Sequence, residues 1–367
     1  MKKFAKMSLV AAIAVAGLTS TATAGSLEEA IKGVNISGFV EYRAEATVQT
    51  TADVAEEGSH DIDIRLQAVV PVNDMVTATI RFDENQDEDS DDASLNASSL
   101  DLQVDVAKFT YMNNGLTANF GLMGAVLTDG GQSDGVSVSK TFGDHTLSAG
   151  FQYSTSTALI TSSDVTWVAA AGSVSSIAYN ATYATVSDSA TADTLGSTTD
   201  DSANALHAGI STTVEGISLG ANYASRSDIA ATDKQSQYSV NAATTLSGVT
   251  LSAKYAKNNQ NGGNTMLDGS DVAGSEISMG ALALSAEGDA SAFLLGASVA
   301  VGEKGTAKLR YASSTNDAAT SDINVIRANY DYQMSSNFNA YLEYTVSNDD
   351  AFTEKASDYV IGAKYTF

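Results

Sequence analysis

Seventeen connections, short and long in strict turn, divide Val34 to Phe367 into segments of about ten residues. The short ones are Pro71–Asp74, Asn113–Gly115, Gly143–His145, Gly172–Ser173, Glu215–Gly216, Ser247–Gly248, Gly302–Gly305 and Ser335–Asn337. Most carry Gly, Asn or Asp, as tight hairpin turns require. The long ones lie near 50–60, 84–99, 124–135, 156–163, 187–203, 227–235, 259–289, 315–320 and 348–355. Such an asymmetry belongs to an up-and-down barrel with tight turns at one rim and long loops at the other. The reading is all-β: a transmembrane antiparallel β-barrel of about 18 strands, with short periplasmic turns and long extracellular loops. Sixteen strands is the next count. Residues 275–286 (SEISMGALALSA) are placed in a loop but also read as a strand.

The segments alternate as strands with one wet and one apolar face must. Ile62, Ile64, Leu66, Ala68 and Val70 oppose Asp61, Asp63, Arg65 and Gln67. Phe338, Ala340, Leu342, Tyr344 and Val346 oppose Asn339, Tyr341 and Glu343. A soluble sandwich alternates too, so the aromatic residues carry more weight. The apolar register holds Phe82, Tyr153, Tyr223, Tyr255, Tyr311 and Tyr344 near long loops. It holds Tyr111, Phe142, Tyr332, Phe338 and Tyr365 near short turns. Two such bands match the girdles of the two membrane interfaces. Lys108 and Lys140 break the pattern; a bulge near Lys108 would return Phe109 and Tyr111 to the apolar face.

Composition agrees. The chain has no Cys and a single Pro, Pro71, and Pro is kept out of sheet interiors. Past the first residues nothing approaches the roughly 20 apolar residues of a membrane helix. The mean hydropathy of -0.05 does not exclude a membrane barrel, whose apolar residues are hidden by alternation. A formal charge of -25 argues against nucleic acid as a partner.

Both ends carry export features. Lys2, Lys3 and Lys6 precede an apolar run from Met7 to Leu18, followed by Ala22 and Ala24 in the small-residue pattern of a cleavage site. Residues 1–24 therefore read as a cleaved signal peptide. Residues 25–33 read as a short periplasmic segment and 34–367 as the barrel, with no room for a plug before it or a domain after it. The last ten residues, DYVIGAKYTF, place Tyr359, Ile361, Ala363, Tyr365 and Phe367 on one face. They read as a closing strand that directs membrane insertion, with Tyr359, Tyr365 and Phe367 as its aromatic marks.

The opening MKKFAKMSLVAAIAVAG, the following GSLEEAIKGVNISGFVEYR and the aromatic terminal strand resemble the Campylobacter-type major outer membrane porin family. The resemblance implies an eighteen-stranded general-diffusion porin, trimeric, with one loop folded inward. Met123–Gly135 is the segment that matches this loop, through Thr128, Asp129 and Gly130. It departs from the family in lacking a Pro before the Thr and an Arg after the glycines. Family members are regarded as calcium binders.

In a porin the lumen charges set the function. Arg43, Arg65 and Arg81 sit on the first strands and Lys308, Arg310, Arg327 and Lys364 on the last. Closure would join them in one pore-lining basic arc. Thr128, Asp129 and Asp134 of the inward loop would face it. Glu41, Asp61, Asp63, Asp101, Asp105, Asp331 and Glu343 would be the acidic lumen residues. The plainer reading is that the cations pair with nearby carboxylates. From Asp83 to Asp92, seven of ten residues are acidic. Oxygen-rich loops hold hard cations, so Asp87, Glu88, Asp89 and Asp91 are candidate calcium ligands; a solvated, self-repelling loop is the other reading. No cofactor is required otherwise.

His60, His145 and His207 show no metal-ligand spacing or Ser-His pairing, so no enzyme is expected. The expectation is a bacterial outer-membrane porin admitting ions and small hydrophilic solutes, with a preference for cations. Its partners would be outer-membrane lipid and lipopolysaccharide, the barrel-assembly machinery and two further copies in a homotrimer. The rival is a secreted or surface-layer β-rich adhesin or coat protein.

Overall fold

The computed structural model describes residues 33–49, 57–84, 102–127, 131–155, 163–187, 202–228, 234–263, 265, 288–316, 321–349 and 355–367. They form eighteen strands: β1 (Asn35–Gln49), β2 (Glu57–Asn73), β3 (Val76–Glu84), β4 (Leu102–Asn113), β5 (Leu116–Gly124), β6 (Gln132–Phe142), β7 (His145–Thr155), β8 (Ser163–Val174), β9 (Ile177–Ser187), β10 (Ser202–Val214), β11 (Ile217–Asp228), β12 (Gln235–Leu246), β13 (Val249–Asn258), β14 (Ser291–Val301), β15 (Gly305–Asn316), β16 (Ser321–Ser335), β17 (Phe338–Asp349) and β18 (Lys355–Thr366). Each pairs antiparallel with its sequence neighbours, and β1 also pairs with β18, so the sheet closes. The expected count of eighteen is the observed one. The segment before Gly33 and the stretch 275–286 lie outside the described residues.

The tight turns fall where the sequence places them, with one exception. β8 runs through Gly172 and Ser173 and turns at Ser175–Ser176. Ser175 takes the left-handed backbone, φ 57°, a region glycine enters more readily. Gly172 instead makes room for His145, whose Nδ1 would sit 2.7 Å from an added Cβ. Pro71 stands at a register shift between Pro71 and Asn73, a place that tolerates a missing N–H. The Asn73 side chain then accepts from the N–H groups of Met75 and Val76 at 2.9 and 3.0 Å, closing the turn.

The bulge expected near Lys108 is present. Arg81 pairs with Val106 and Phe82 with Val104, leaving Asp105 as an extra residue in β4. The bulge changes the parity of the strand. Phe109 and Tyr111 thereby face outward beside Ala78 and Val76, and Lys108 pairs with Thr79 on the interior face. Lys140 stays on the outer face at a turn end. Its ammonium donates to the Asn114 carbonyl and lies 6.0 Å from the Phe142 ring centre, so the charge snorkels to the rim.

Solvation is inverted relative to a water-soluble protein. Ile36, Ile210 and Ile361 are 59, 58 and 61 % exposed on the outside. Apolar side chains so exposed over a closed sheet need a nonaqueous surrounding. Outward rings pair across strands near the long-loop rim: Tyr238 with Tyr255, Phe293 with Tyr311 and Tyr344 with Tyr359. Tyr330 with Tyr332 and Tyr365 with Phe367 mark the opposite rim.

Closure is tightest at Gly38. Its N–H donates to the Phe367 carbonyl at 3.0 Å and its own carbonyl accepts from Phe367 N–H at 3.1 Å. An added Cβ would lie 2.1 Å from the Arg65 carbonyl oxygen. Only glycine admits so close a backbone approach.

Candidate functional site

The interior face of β15 to β18 and β1 to β4 carries the chain's organised charge. Strand parity puts Phe39, Glu41, Arg43, Glu45 and Thr47 of β1 inward, because Ile36, Val40 and Tyr42 are the outward residues. The ladders fix the rest. Glu41 lies opposite Lys364 on one side and Asp63 on the other, and Arg43 lies opposite Asp61. Arg65 lies opposite Asp83, and Arg310 opposite Arg327.

All seven cations of the anticipated arc thus share one stretch of interior wall, but six of them are neutralised. Lys308 pairs with Asp331 at 2.9 Å, Arg327 with Glu343 at 3.0 Å, Lys364 with Glu41 at 2.6 Å and Arg43 with Asp61 at 3.1 Å. The Nε of Arg65 donates to Asp83 at 2.9 Å and that of Arg81 to Asp105 at 2.7 Å. In every pair the cation stands on one strand and its carboxylate on the next strand around the barrel, with β18 followed by β1. Arg310 differs: it donates from Nη2 to Asn329 Oδ1 at 3.0 Å, while its buried Nε has no partner among the described residues.

The arc is therefore not purely basic. Glu41, Glu45, Asp61, Asp63, Asp83, Asp105, Asp331, Glu343 and Asp358 face the same space as the seven cations. With Lys108 of β4 added to the cations, the wall is an alternating belt of nine carboxylates and eight cations among the described residues. The pairing of cations with nearby carboxylates is the plainer reading of the sequence, which misses one partner because Asp83 reads as the start of an acidic loop. It is a β3 residue fixed opposite Arg65.

An aromatic element sits within the belt. Phe39 points inward, with Lys364 Nζ 3.6 Å and Arg65 Cζ 5.3 Å from its ring centre. Those distances are in the range of cation–π attraction. Tyr341 donates to Glu41 at 2.8 Å, across the barrel seam. Phe39 was not singled out in the sequence, where an aromatic at a polar parity reads as a slip of register.

A correction concerns Asp134. It belongs to β6, opposite Leu122 and Tyr153, on the outward parity shared by Val136 and Val138. Extended backbone alternates without regard to charge, so Asp134 cannot face the belt. The connection after β5 is Ala125–Gly131, shorter than the sequence suggested. Within it Thr128 and Asp129 lie outside the described residues, as do Asp101 and the candidate calcium ligands Asp87, Glu88, Asp89 and Asp91. The start of this connection enters the barrel. Val126 and Leu127, and separately Trp167, pack against Val165, Ala184, Val186, Ala203 and Ala205, which occupy inward parities of β8, β9 and β10. Away from that patch this side of the wall presents Asn180, Asn222 and Asn241, with Lys254 opposite Asn241 and Arg226 opposite Ala205 as its cations among the described residues.

The histidines lie apart. His60 meets the Tyr42 hydroxyl at 2.8 Å and His145 that of Tyr179 at 2.9 Å, both on outward parities. His207 faces the interior opposite Thr182 and Ala224.

Three comparisons bear on this arrangement. A sequence profile of the Campylobacter major outer membrane protein family matches residues 1–149. No curated protein matches the chain. Among solved structures, the outer membrane protein opdK from Pseudomonas aeruginosa is similar at a TM-score of 0.64 and 11 % identity, covering 91 % of this chain and 99 % of its own. OccAB4 of Acinetobacter baumannii is similar at 0.64 and 9 %, covering 91 % and 98 %. A BenF-like porin from Pseudomonas fluorescens Pf-5 is similar at 0.59 and 11 %, covering 91 % and 99 %. At such identities the likeness is one of fold.

Proposed function

We propose that the protein is an outer-membrane porin: a passive, water-filled channel for ions and small hydrophilic solutes. One observation carries this reading. A closed eighteen-stranded sheet turns most of its large apolar residues outward between two aromatic girdles and most of its charged strand residues inward. Barrels of this strand number leave an aqueous path. The family profile over the first 149 residues supports the same setting.

No bond is made or broken; selection is by size and field. The belt places fixed charges along one side of the path, where the low-dielectric wall focuses their field. The excess of carboxylates over cations on that wall, together with a formal charge of -25, supports a preference for cations. The resemblance supports a homotrimer in a lipopolysaccharide-bearing membrane.

Planar-bilayer recording of the detergent-folded protein under a salt gradient tests the proposal. Discrete conductance steps with a reversal potential of cationic sign are expected. Folded protein that gives no steps would overturn the channel and favour a surface coat or adhesin.

A further inference from the structure

We infer that Gln152 is the positioning residue that holds the start of the β5–β6 connection inside the barrel, docked on an apolar patch of the interior wall, and so sets the free width of the lumen. The inference rests on the channel reading and adds to it a specific residue and a docking surface.

Gln152 stands on the interior parity of β7 and is 2 % exposed. Its amide serves both ends of one short segment. Nε2 donates to the Gly124 carbonyl at 2.8 Å, and Oε1 accepts from the Val126 N–H at 2.9 Å. The two bonds use one donor and one acceptor of a primary amide in their required sense. They satisfy backbone groups that a chain leaving β5 would otherwise strand away from water. Space for the side chain comes from Gly135 on β6, directly opposite; a Cβ there would lie 2.9 Å from Gln152 Cγ. The loop is closed upon itself by Ala125 N–H donating to the Gly131 carbonyl at 2.7 Å.

Beyond the amide, Leu127 takes a φ of 53°. This backbone region is costly for a branched residue. The conformation accompanies packing of Val126 and Leu127 on the inward patch of β8 to β10. That patch is anomalous for a wetted wall. Val165, Ala184 and Ala205 are 2, 0 and 1 % exposed, where a water-filled lumen calls for polar groups. Covering it with Val126 and Leu127 removes apolar surface from water. The docked segment therefore takes up lumen space on the side away from the belt.

Trp167, the chain's only tryptophan, packs against the same patch as Val126 and Leu127 and reports on its cover independently of conduction. The test uses the full-length folded protein and Gln152→Leu, which keeps bulk and removes both bonds. Val126→Ser weakens the docking side alone. Folding is verified by heat-dependent gel migration. Larger single-channel steps, with Trp167 emission shifted to longer wavelength and more open to iodide quenching, are expected in both variants. Folded Gln152→Leu with unchanged steps and unchanged quenching would overturn the inference. If Gln152→Leu does not fold, the same readings on Val126→Ser decide it. If the parent protein gives no channels but quenching still rises in the variants, the pin stands and the channel reading falls.

Discussion

Tyr341 lies flat across Gly362, and an added Cβ would fall 2.0 Å from its Cζ. Gly362→Ala must therefore lift the ring and break its hydrogen bond to Glu41. We expect a loss of about 1–3 kcal/mol, the usual cost of overpacking, read as a lower denaturation midpoint of the folded barrel. Lys364→Gln acts differently. It removes a cation that is 36 % exposed and paired with a Glu41 that is 21 % exposed. Wetted ion pairs contribute about 0–1 kcal/mol, so stability should barely move. Glu41 is left with Tyr341 as its remaining partner from this group, and the reversal potential should shift toward stronger cation selectivity. Neither contact was legible in the sequence. Glu41 and Tyr341 are 300 residues apart, and only closure makes them neighbours.

Strands are the level at which the sequence speaks most clearly. Period-two alternation and the rhythm of the turns locate eighteen strands because each outward face must be apolar over its whole length. They also call for a bulge near Lys108, found at Asp105, since Lys108 facing the membrane midplane would cost roughly 2–4 kcal/mol. Glycine is where the reading fails. Gly172 and the glycines around Asp134 read as loop, yet Gly172 and Gly135 serve as places of close approach within strands. One residue type answers both needs, and local sequence cannot tell which applies. The amide clamp of Gln152 is invisible for a related reason: its partners are backbone groups. At the seam, deleting Phe367 removes both of its backbone bonds to Gly38 and its ring contact with Tyr365. Fewer folded barrels should then reach membranes at unchanged synthesis, as counted by surface labelling; normal assembly would show that the seam closes without this residue.

For the whole molecule, the belt predicts opposite effects from its two kinds of charge. The triple change Arg43→Glu, Arg65→Glu and Arg81→Glu should raise cation preference, and Asp61→Asn, Asp83→Asn and Asp105→Asn together should lower it. Both shifts are read from reversal potentials. They should shrink as salt rises, because screening shortens the reach of each charge to about 10 Å at 0.1 M. A reversal potential unmoved by either triple change would place the conducting path elsewhere. The common sense of the pairs, cation on one strand and carboxylate on the next, has a consequence for the far field. Pairs that share one sense add along the wall, so the row carries a net dipole running from its cationic to its anionic end. The row begins with Arg310 and Lys308 on β15 and finishes at Asp105 on β4, seven strand steps around the ring. The curvature of the wall turns the two ends of the row toward one another, as in a horseshoe magnet, so the row lays a field across the lumen as well as along its side.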